Sequence, residues 1–112
     1  MSIERSYDVI TLPKGRKIVK IKFDDPYYEL LGTFFFSDYR SFGDWIDEKI
    51  DIVVNGEEEM QDISGNICEI VIKKDTVILY DMLADDGKGK WCELPTSEFI
   101  EIIKEWREKT AS

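Results

Sequence analysis

The alternation of apolar residues on either side of Lys74-Asp75 constrains this fold more than any other feature of the sequence. Residues 68–73 place an apolar side chain at every second position, and Thr76–Met82 is rich in β-branched and aromatic residues. Strict alternation is typical of a strand with one face on a core and the other in water. Because Lys74-Asp75 supplies a tight turn between the two runs, the sequence predicts a β-hairpin.

A second hairpin is predicted near the start of the chain. Ser6–Leu12 is strand-like, Pro13–Arg16 forms a turn, and Lys17–Phe23 alternates apolar residues with lysines. The basic residues of this region are interpreted as the charged turn and solvent face of the hairpin, where lysines discourage pairing between sheet edges. They are Lys14, Arg16, Lys17, Lys20 and Lys22.

Two segments have the apolar spacing of amphipathic helices. The first is predicted to begin near Ser41, with Asp44 completing a capping box, and to end at Gly56. The second is predicted to begin at Thr96 or Ser97 and to lead into a charged C-terminal tail. The predicted buried stripes are Phe42, Trp45, Ile46, Ile50 and Val53 in the first helix, and Phe99, Ile102, Ile103 and Trp106 in the second.

The segment between the first hairpin and the first helix, residues 24–40, supports more than one interpretation. Asp25-Pro26 is typical of a helix start, and Gly32 would break such a helix. Thr33–Phe36 fits either a strand or an apolar connection. The aromatic residues of this stretch either fill the core or lie partly exposed at a protein interface. They are Tyr27, Tyr28, Phe34, Phe35, Phe36, Tyr39 and Phe42.

The predicted order of elements is strand, strand, ambiguous segment, helix, strand, strand, helix, with loops at Glu57–Ile67 and Ala84–Glu93. Antiparallel hairpins with two main helices packed on one face form an α+β two-layer sandwich. A length of 112 residues without internal repeats predicts one domain, residues 1–112.

The sequence shows no pattern typical of secretion or membrane insertion. No apolar run approaches the roughly 20 residues that span a bilayer, and the N-terminus lacks a basic region followed by an apolar stretch. Cys68 and Cys92 are isolated, which favours reduced, half-buried thiols but leaves a disulfide open. We therefore expect a cytoplasmic protein.

The charge of the chain, −9 in total, is concentrated in its middle. Residues 1–20 carry +3, residues 21–66 carry −9 and residues 67–112 carry −3. Nucleic-acid binding depends mainly on Lys and Arg at phosphates, so the acidic balance disfavours a nucleic-acid partner. A concentrated acidic surface is instead typical of a protein that binds a cationic partner.

The chain contains no histidine, which excludes Ser-His and Cys-His nucleophilic machinery and the usual zinc sites. Asp85-Asp86-Gly87-Lys88-Gly89 resembles part of a calcium loop, but Met82 and Ala84 then occupy positions that must coordinate the ion. We therefore predict no catalytic residue, no metal ligand and no cofactor.

The densest acidic region comprises the solvent face of the first predicted helix and the loop after it. At 100° per residue, the four helix acids fall within an arc of about 100° opposite the apolar stripe. They form either an ordinary solvated surface or a binding face for a cationic protein. The candidate binding residues are Asp44, Asp47, Glu48 and Asp51 on the helix, and Glu57, Glu58, Glu59 and Asp62 after it.

Several short motifs follow one another in a familiar order. Phe36-Ser37-Asp38 precedes the helix with Trp45-Ile46, which Val54-Asn55-Gly56 ends, and Ser64-Gly65-Asn66-Ile67 precedes the strand at residue 68. The last helix contains Ile103-Lys104-Glu105-Trp106. Across residues 28–107 this order resembles that of the small immunity proteins that accompany bacterial polymorphic toxins, including contact-dependent growth inhibition systems.

The resemblance implies a cytoplasmic protein that binds and neutralises one cognate toxin domain, commonly a nuclease. Such families vary most at the surface that contacts the toxin, so the resemblance assigns no site residue. The expected partner is the cationic C-terminal domain of a toxin, with no nucleic acid and no membrane, and the chain is expected to be a monomer or a weak homodimer.

Two other functions stay open at this point. One is a general interaction adaptor that uses the same acidic face without a toxin partner. The other is a carboxylate-based enzyme, which would need two carboxyl groups in a shared concave pocket, one of them with a raised pKa.

Overall fold

Within residues 3–83 and 91–110, which the computed structural model describes, the chain forms two antiparallel sheets and a set of helices that contacts both. β1 (Arg5–Thr11) and β2 (Lys17–Phe23) form a hairpin. The second sheet consists, in spatial order, of β3 (Met60–Ser64), β4 (Cys68–Lys73), β5 (Thr76–Asp81) and β6 (Trp91–Pro95). The predicted α+β class with antiparallel hairpins is confirmed.

Residues 26–54 follow one helical path, which is kinked at Phe42. A 3₁₀ turn at Pro26–Tyr28 leads into α1 (Glu29–Phe34), a π-helical turn at Phe35–Tyr39, and α2 (Arg40–Val54). The carboxylate of Asp25 accepts a hydrogen bond from the backbone N–H of Tyr27 at 2.9 Å. The predicted helix start at Asp25-Pro26 is therefore confirmed. The last helix, α3, spans Thr96–Thr110.

One predicted boundary within this path is wrong. Gly32 does not break the helix, because Leu30, Leu31 and Phe34 are all buried and packing outweighs the low helix propensity of one glycine. The predicted helix start near Ser41 lies within one residue of Arg40, where α2 begins directly after the π-helical turn. The Asp44 carboxylate does not complete a capping box, since it accepts a hydrogen bond from Arg107 of α3.

The predicted end of the first main helix is confirmed. Gly56 has a φ of +81°, a conformation that strains residues with a side chain. The N–H of Gly56 donates to the carbonyl of Val53 at 3.1 Å, and the N–H of Glu57 donates to the carbonyl of Ile52 at 3.0 Å. This pair of bonds is the Schellman arrangement, which satisfies carbonyls left open at the end of α2.

Both predicted loops contain strands. β3 lies inside the predicted loop Glu57–Ile67, and residues 91–93 of the predicted loop Ala84–Glu93 belong to β6. Ile63 is the one buried residue of β3, so this edge strand lacks the apolar alternation that marks a strand in sequence. The remainder of the second loop, residues 84–90 with the Asp85–Gly89 motif, lies outside the described residues.

The core lies between the inner face of the four-stranded sheet and the helices. All four residues of the predicted α3 stripe are buried, which confirms that stripe. In α2, Ile46, Ile50 and Val53 are buried, but Phe42 and Trp45 are 38% and 39% exposed. The backbone at Phe42 (φ −127°, ψ 22°) departs from helical geometry, so the assumed 100° spacing does not hold across this residue.

Both cysteines are free, and both are fully buried rather than half-buried as predicted. Desolvation raises the pKa of Cys92 to about 12. Desolvation and the charge of Asp38 raise the pKa of Cys68 further. Because the thiolate is the reactive form, both side chains are inert, apolar-like parts of the core at neutral pH.

The buried carboxylate of Asp38 joins the π-helical turn to the turn between β3 and β4. Its Oδ1 accepts hydrogen bonds from the N–H groups of Asn66 (3.1 Å) and Ile67 (3.0 Å), and its Oδ2 accepts one from Cys68 (2.7 Å). A Cβ atom on Gly65 would lie 2.8 Å from Asp38 Cγ. Glycine is therefore needed at position 65 for the carboxylate to approach the turn.

A second polar cluster fixes β1 to α3. Arg5 binds Glu105 through both Nε and Nη2, and its Nη1 donates to Glu98 at 3.1 Å. Tyr7 also donates to Glu105, at 2.9 Å, and the N–H of Ile3 donates to Glu98 at 2.9 Å. The hydrogen bond from Arg5 is the largest cause that lowers the pKa of Glu105.

We predict that Asp38→Asn and Gly65→Ala each lower the free energy of unfolding by about 1–3 kcal/mol. In Asp38→Asn, an amide replaces the carboxylate that accepts the three backbone N–H groups. In Gly65→Ala, the added methyl group displaces the carboxylate from those N–H groups. Ser64→Ala, at an exposed position next to Gly65, is the control and should change stability by less than about 0.5 kcal/mol. Urea unfolding measures all three, and equal stability of Gly65→Ala and Ser64→Ala would contradict the role given to Asp38.

The Arg5 cluster predicts a specific dependence of stability on pH. Because the folded state lowers the pKa of Glu105 below its ordinary value of 4.5, the unfolded chain binds more protons in this range. The contribution is complete above pH 4.5 and is lost as the pH falls through the lowered value. The stability difference between the parent and Glu105→Gln, measured by urea unfolding over a series of pH values, should therefore shrink in acid. A difference for Glu105→Gln that is constant with pH would refute this.

Candidate binding surfaces

The four predicted helix acids lie on the solvent side of α2, opposite the buried Ile46, Ile50 and Val53. Glu57, Glu58 and Glu59 are exposed and follow the C-terminal end of the same helix. We call these seven residues the acidic face, namely Asp44, Asp47, Glu48, Asp51, Glu57, Glu58 and Glu59. The structure thus brings together the four helix acids and places the three glutamates directly after them.

Asp62 lies on another side of the molecule. It is exposed on β3, and its neighbour Ile63 is buried on the inner face of the sheet. Because successive strand residues point to opposite faces, Asp62 faces outward, away from α2. On this outer face of the sheet, a hydrogen bond with Asp62 is the largest of the causes that raise the pKa of Glu69. Asp62 is therefore not part of the acidic face.

Arg107 of α3 binds two of the helix acids. Its Nη2 lies 3.0 Å from Asp44 Oδ1 and 2.6 Å from Asp47 Oδ2, and its Nε donates to the hydroxyl of Tyr39 at 2.7 Å. Hydrogen bonds to Asp44 and Asp47 raise the pKa of Arg107. Burial, followed by the hydrogen bond to Asp47, raises the pKa of Tyr39, so its hydroxyl stays protonated.

Glu48 and Asp51 differ from Asp44 and Asp47, whose carboxylates bind Arg107. Both are exposed, and the described part of the chain places no cation against either carboxylate. The same holds for Glu57, Glu58 and Glu59. The full negative charge of these five side chains therefore faces solvent, while Asp44 and Asp47 are partly neutralised by Arg107.

The outer face of the four-stranded sheet is a second surface, and the sequence analysis missed it. Tyr80 and Trp91 are 40% and 50% exposed and lie directly opposite each other on β5 and β6. The ring of Tyr27 packs edge-on against Trp91 with centroids 6.2 Å apart, and its hydroxyl accepts the N–H of Glu93 at 2.9 Å. The sequence signal that could have indicated this surface is the alternation in residues 91–95, where Cys92 and Leu94 are buried and their neighbours are exposed.

A third surface is a groove of about 950 Å³ between the start of β2, the π-helical turn, the start of α2 and the end of α3. Phe36, Phe42 and Trp45 line it and are 45%, 38% and 39% exposed. Its cationic lining consists of Arg16, Lys17, Arg40, Arg107 and Lys109, and Asp44 lies at its edge. We call it the cationic groove. The sequence did not predict this groove, because Phe42 and Trp45 have the helical spacing of core residues.

A carboxylate enzyme requires two carboxyl groups in a shared concave pocket. Asp62 and Glu69 form a carboxyl pair, but they lie on the open outer face of the sheet. Among the described residues, no group of three or more His, Cys, Asp or Glu side chains is arranged to hold a metal ion. No helix in the described ranges is long and apolar enough to cross a membrane.

The chain has a clear relative among known proteins. No family model matches it, and no solved structure does. A protein of Bacillus cereus (strain ATCC 14579) named "Immunity protein" is 38% identical over 109 residues, which cover 97% of this chain and 89% of the relative. Agreement of this extent over nearly the full length of both chains confirms the resemblance found in the sequence: the chain belongs to this family of immunity proteins.

Proposed function

We propose that this protein acts in the cytoplasm by binding one cognate toxin domain and neutralising it, without catalysing a reaction itself. The observation that carries the proposal is the near-full-length similarity to a protein named "Immunity protein". An immunity protein protects the cell by binding its toxin, so its function requires a stable binding surface. The absence of histidine from the chain is consistent with a function that needs no general base near neutral pH.

The acidic face is the proposed contact for a cationic toxin domain, most simply that of a nuclease. A protein that cleaves nucleic acid needs a positive cleft for phosphates, and an acidic surface complements such a cleft. Complementary charge also raises association rates, up to roughly 10⁸–10⁹ M⁻¹s⁻¹ at low salt. Fast capture protects the cell because every free toxin molecule continues to act.

Arg107 allows α2 to carry this charge at a low cost in stability. Like-charged neighbours one turn apart on a helix each cost about 0.2–0.5 kcal/mol. Asp44 and Asp47 would repel each other and their neighbours, but Arg107 lies against both carboxylates. It therefore offsets the repulsion at one end of the helix, while Glu48, Asp51 and the three following glutamates stay available to a partner.

The proposed use of the acidic face predicts the kinetics of toxin binding. Glu48→Lys/Asp51→Lys should slow association with the cognate toxin domain, sought as the C-terminal domain of the protein that the neighbouring gene encodes, by about tenfold or more at low salt. The dependence of the association rate on salt should also become weaker, because fewer charges steer the encounter. Stopped-flow or biolayer interferometry over a series of salt concentrations measures both effects.

Glu101→Lys/Glu108→Lys is the matched control, because it makes the same change in net charge at exposed positions of α3. It should slow association much less than the acidic-face variant. Equal slowing by both variants would mean that net charge, rather than this face, drives the encounter. Binding of the parent protein to an unrelated partner, but not to the toxin domain, would instead favour an adaptor function.

A further inference from the structure

We propose that the cationic groove binds an acidic polypeptide segment of the toxin partner, with carboxylates against its arginines and lysines and an apolar side chain against its exposed aromatic rings. The partner named here rests on the proposed function. The groove adjoins the acidic face at Asp44, so the toxin would meet surfaces of both signs on this protein.

The charge of the groove is opposite to that of the chain. The protein carries −9 overall, yet five cationic side chains line this groove, and Asp44 is the acidic residue among its lining. Arg16, Lys17 and Arg40 are exposed, and the described residues place no carboxylate against their side chains. A local excess of unpaired cations on an acidic protein selects an anionic occupant.

Cationic side chains lie near two of the exposed rings of the groove. The side chains of Lys20 and Arg40 both lie over the ring of Phe36, each 5.9 Å from its centroid. The side chain of Lys49 lies 5.9 Å from the ring of Trp45, which meets Phe42 edge-on at 6.3 Å. Clusters of aromatic rings with arginine are typical of residues that dominate the energy of protein interfaces.

Two departures from regular helix geometry border the groove. The π-helical turn Phe35–Tyr39 buries Phe35 and Tyr39 but directs Phe36 outward, and the non-helical backbone at Phe42 leaves that ring exposed. A π-helical turn costs stability and is found frequently at functional sites. Here both irregularities have the same result, because each places an aromatic ring on the groove instead of in the core.

An acidic peptide fits this site better than a nucleic acid does. The acidic face adjoins the groove at Asp44, whose side chain is fully exposed. A polyphosphate backbone extending beyond the groove would meet that negative surface, whereas a peptide with a few carboxylates ends its charge within the groove. A volume of about 950 Å³ is also large enough for several side chains of a polypeptide.

The test uses two triple charge reversals of the full chain. Arg16→Glu/Lys17→Glu/Arg40→Glu changes the groove, and Lys73→Glu/Lys74→Glu/Lys104→Glu makes the same change in net charge at exposed positions elsewhere. Circular dichroism confirms that each variant is folded. Equilibrium binding to the same candidate toxin domain, the C-terminal domain of the protein that the neighbouring gene encodes, is measured for both, together with the acidic-face variant Glu48→Lys/Asp51→Lys.

The groove variant should bind the toxin domain at least about tenfold more weakly, and the control variant should stay within about threefold of the parent. If the parent binds and the groove variant binds equally well, the groove proposal is overturned while the proposed function stands. If the parent does not bind the toxin domain, the proposed function fails, and a second probe then tests whether the groove binds an acidic peptide.

That probe is a short fluorescent peptide of Glu and Tyr, compared with an oligo(dT) strand of similar charge. Binding of the peptide that the groove variant loses and the control variant keeps would establish an acidic-peptide site. A tryptophan fluorescence change on binding that disappears in Trp45→Phe would locate it at this groove. No peptide binding, or tighter binding of the oligonucleotide, would overturn the proposal.

Discussion

The structure depends on one buried carboxylate. Asp38 is fully buried, and an ionised carboxyl group at such a depth is stable only if donors surround it. The donors are three successive backbone N–H groups at the β3–β4 turn, and Gly65 gives the carboxylate room to reach them. The contact links two segments far apart in sequence, so it fixes the helical path against the sheet.

This contact also explains how the chain divides its aromatic residues between core and surface. Asp38 must point at the β3–β4 turn, and it lies within the π-helical turn. With that register set, Phe34, Phe35 and Tyr39 are buried against α3, where Phe35 lies 5.5 Å from Trp106 between ring centroids. Phe36 is left outside. The anchor of the fold and the cationic groove are thus consequences of the same irregular turn.

The sequence predicted the regular parts of this protein and failed where long-range contacts decide the local structure. Both hairpins and α3 follow from apolar periodicity and turn residues, which are local signals. β3 was missed because its pairing with β4, rather than its own pattern, makes it a strand. Residues 24–40 stayed ambiguous because their local sequence does not show the burial of Leu30, Leu31 and Phe34 or the contact of Asp38 with remote N–H groups. Arg107 could not be assigned to Asp44 and Asp47 from sequence, because 60 or more residues separate them.

Arg107 lies at the boundary between the two proposed binding surfaces. Its guanidinium group lines the cationic groove, contacts the ring of Tyr39 at 5.3 Å and binds Asp44 and Asp47 of the acidic face. A protein with one sign of charge attracts any oppositely charged molecule, including many wrong ones. Adjacent surfaces of opposite sign accept only a partner that carries both signs at the matching spacing, since a misplaced partner meets like charge. In the function proposed above, this arrangement would combine rapid attraction of a cationic toxin with discrimination between its own toxin and others.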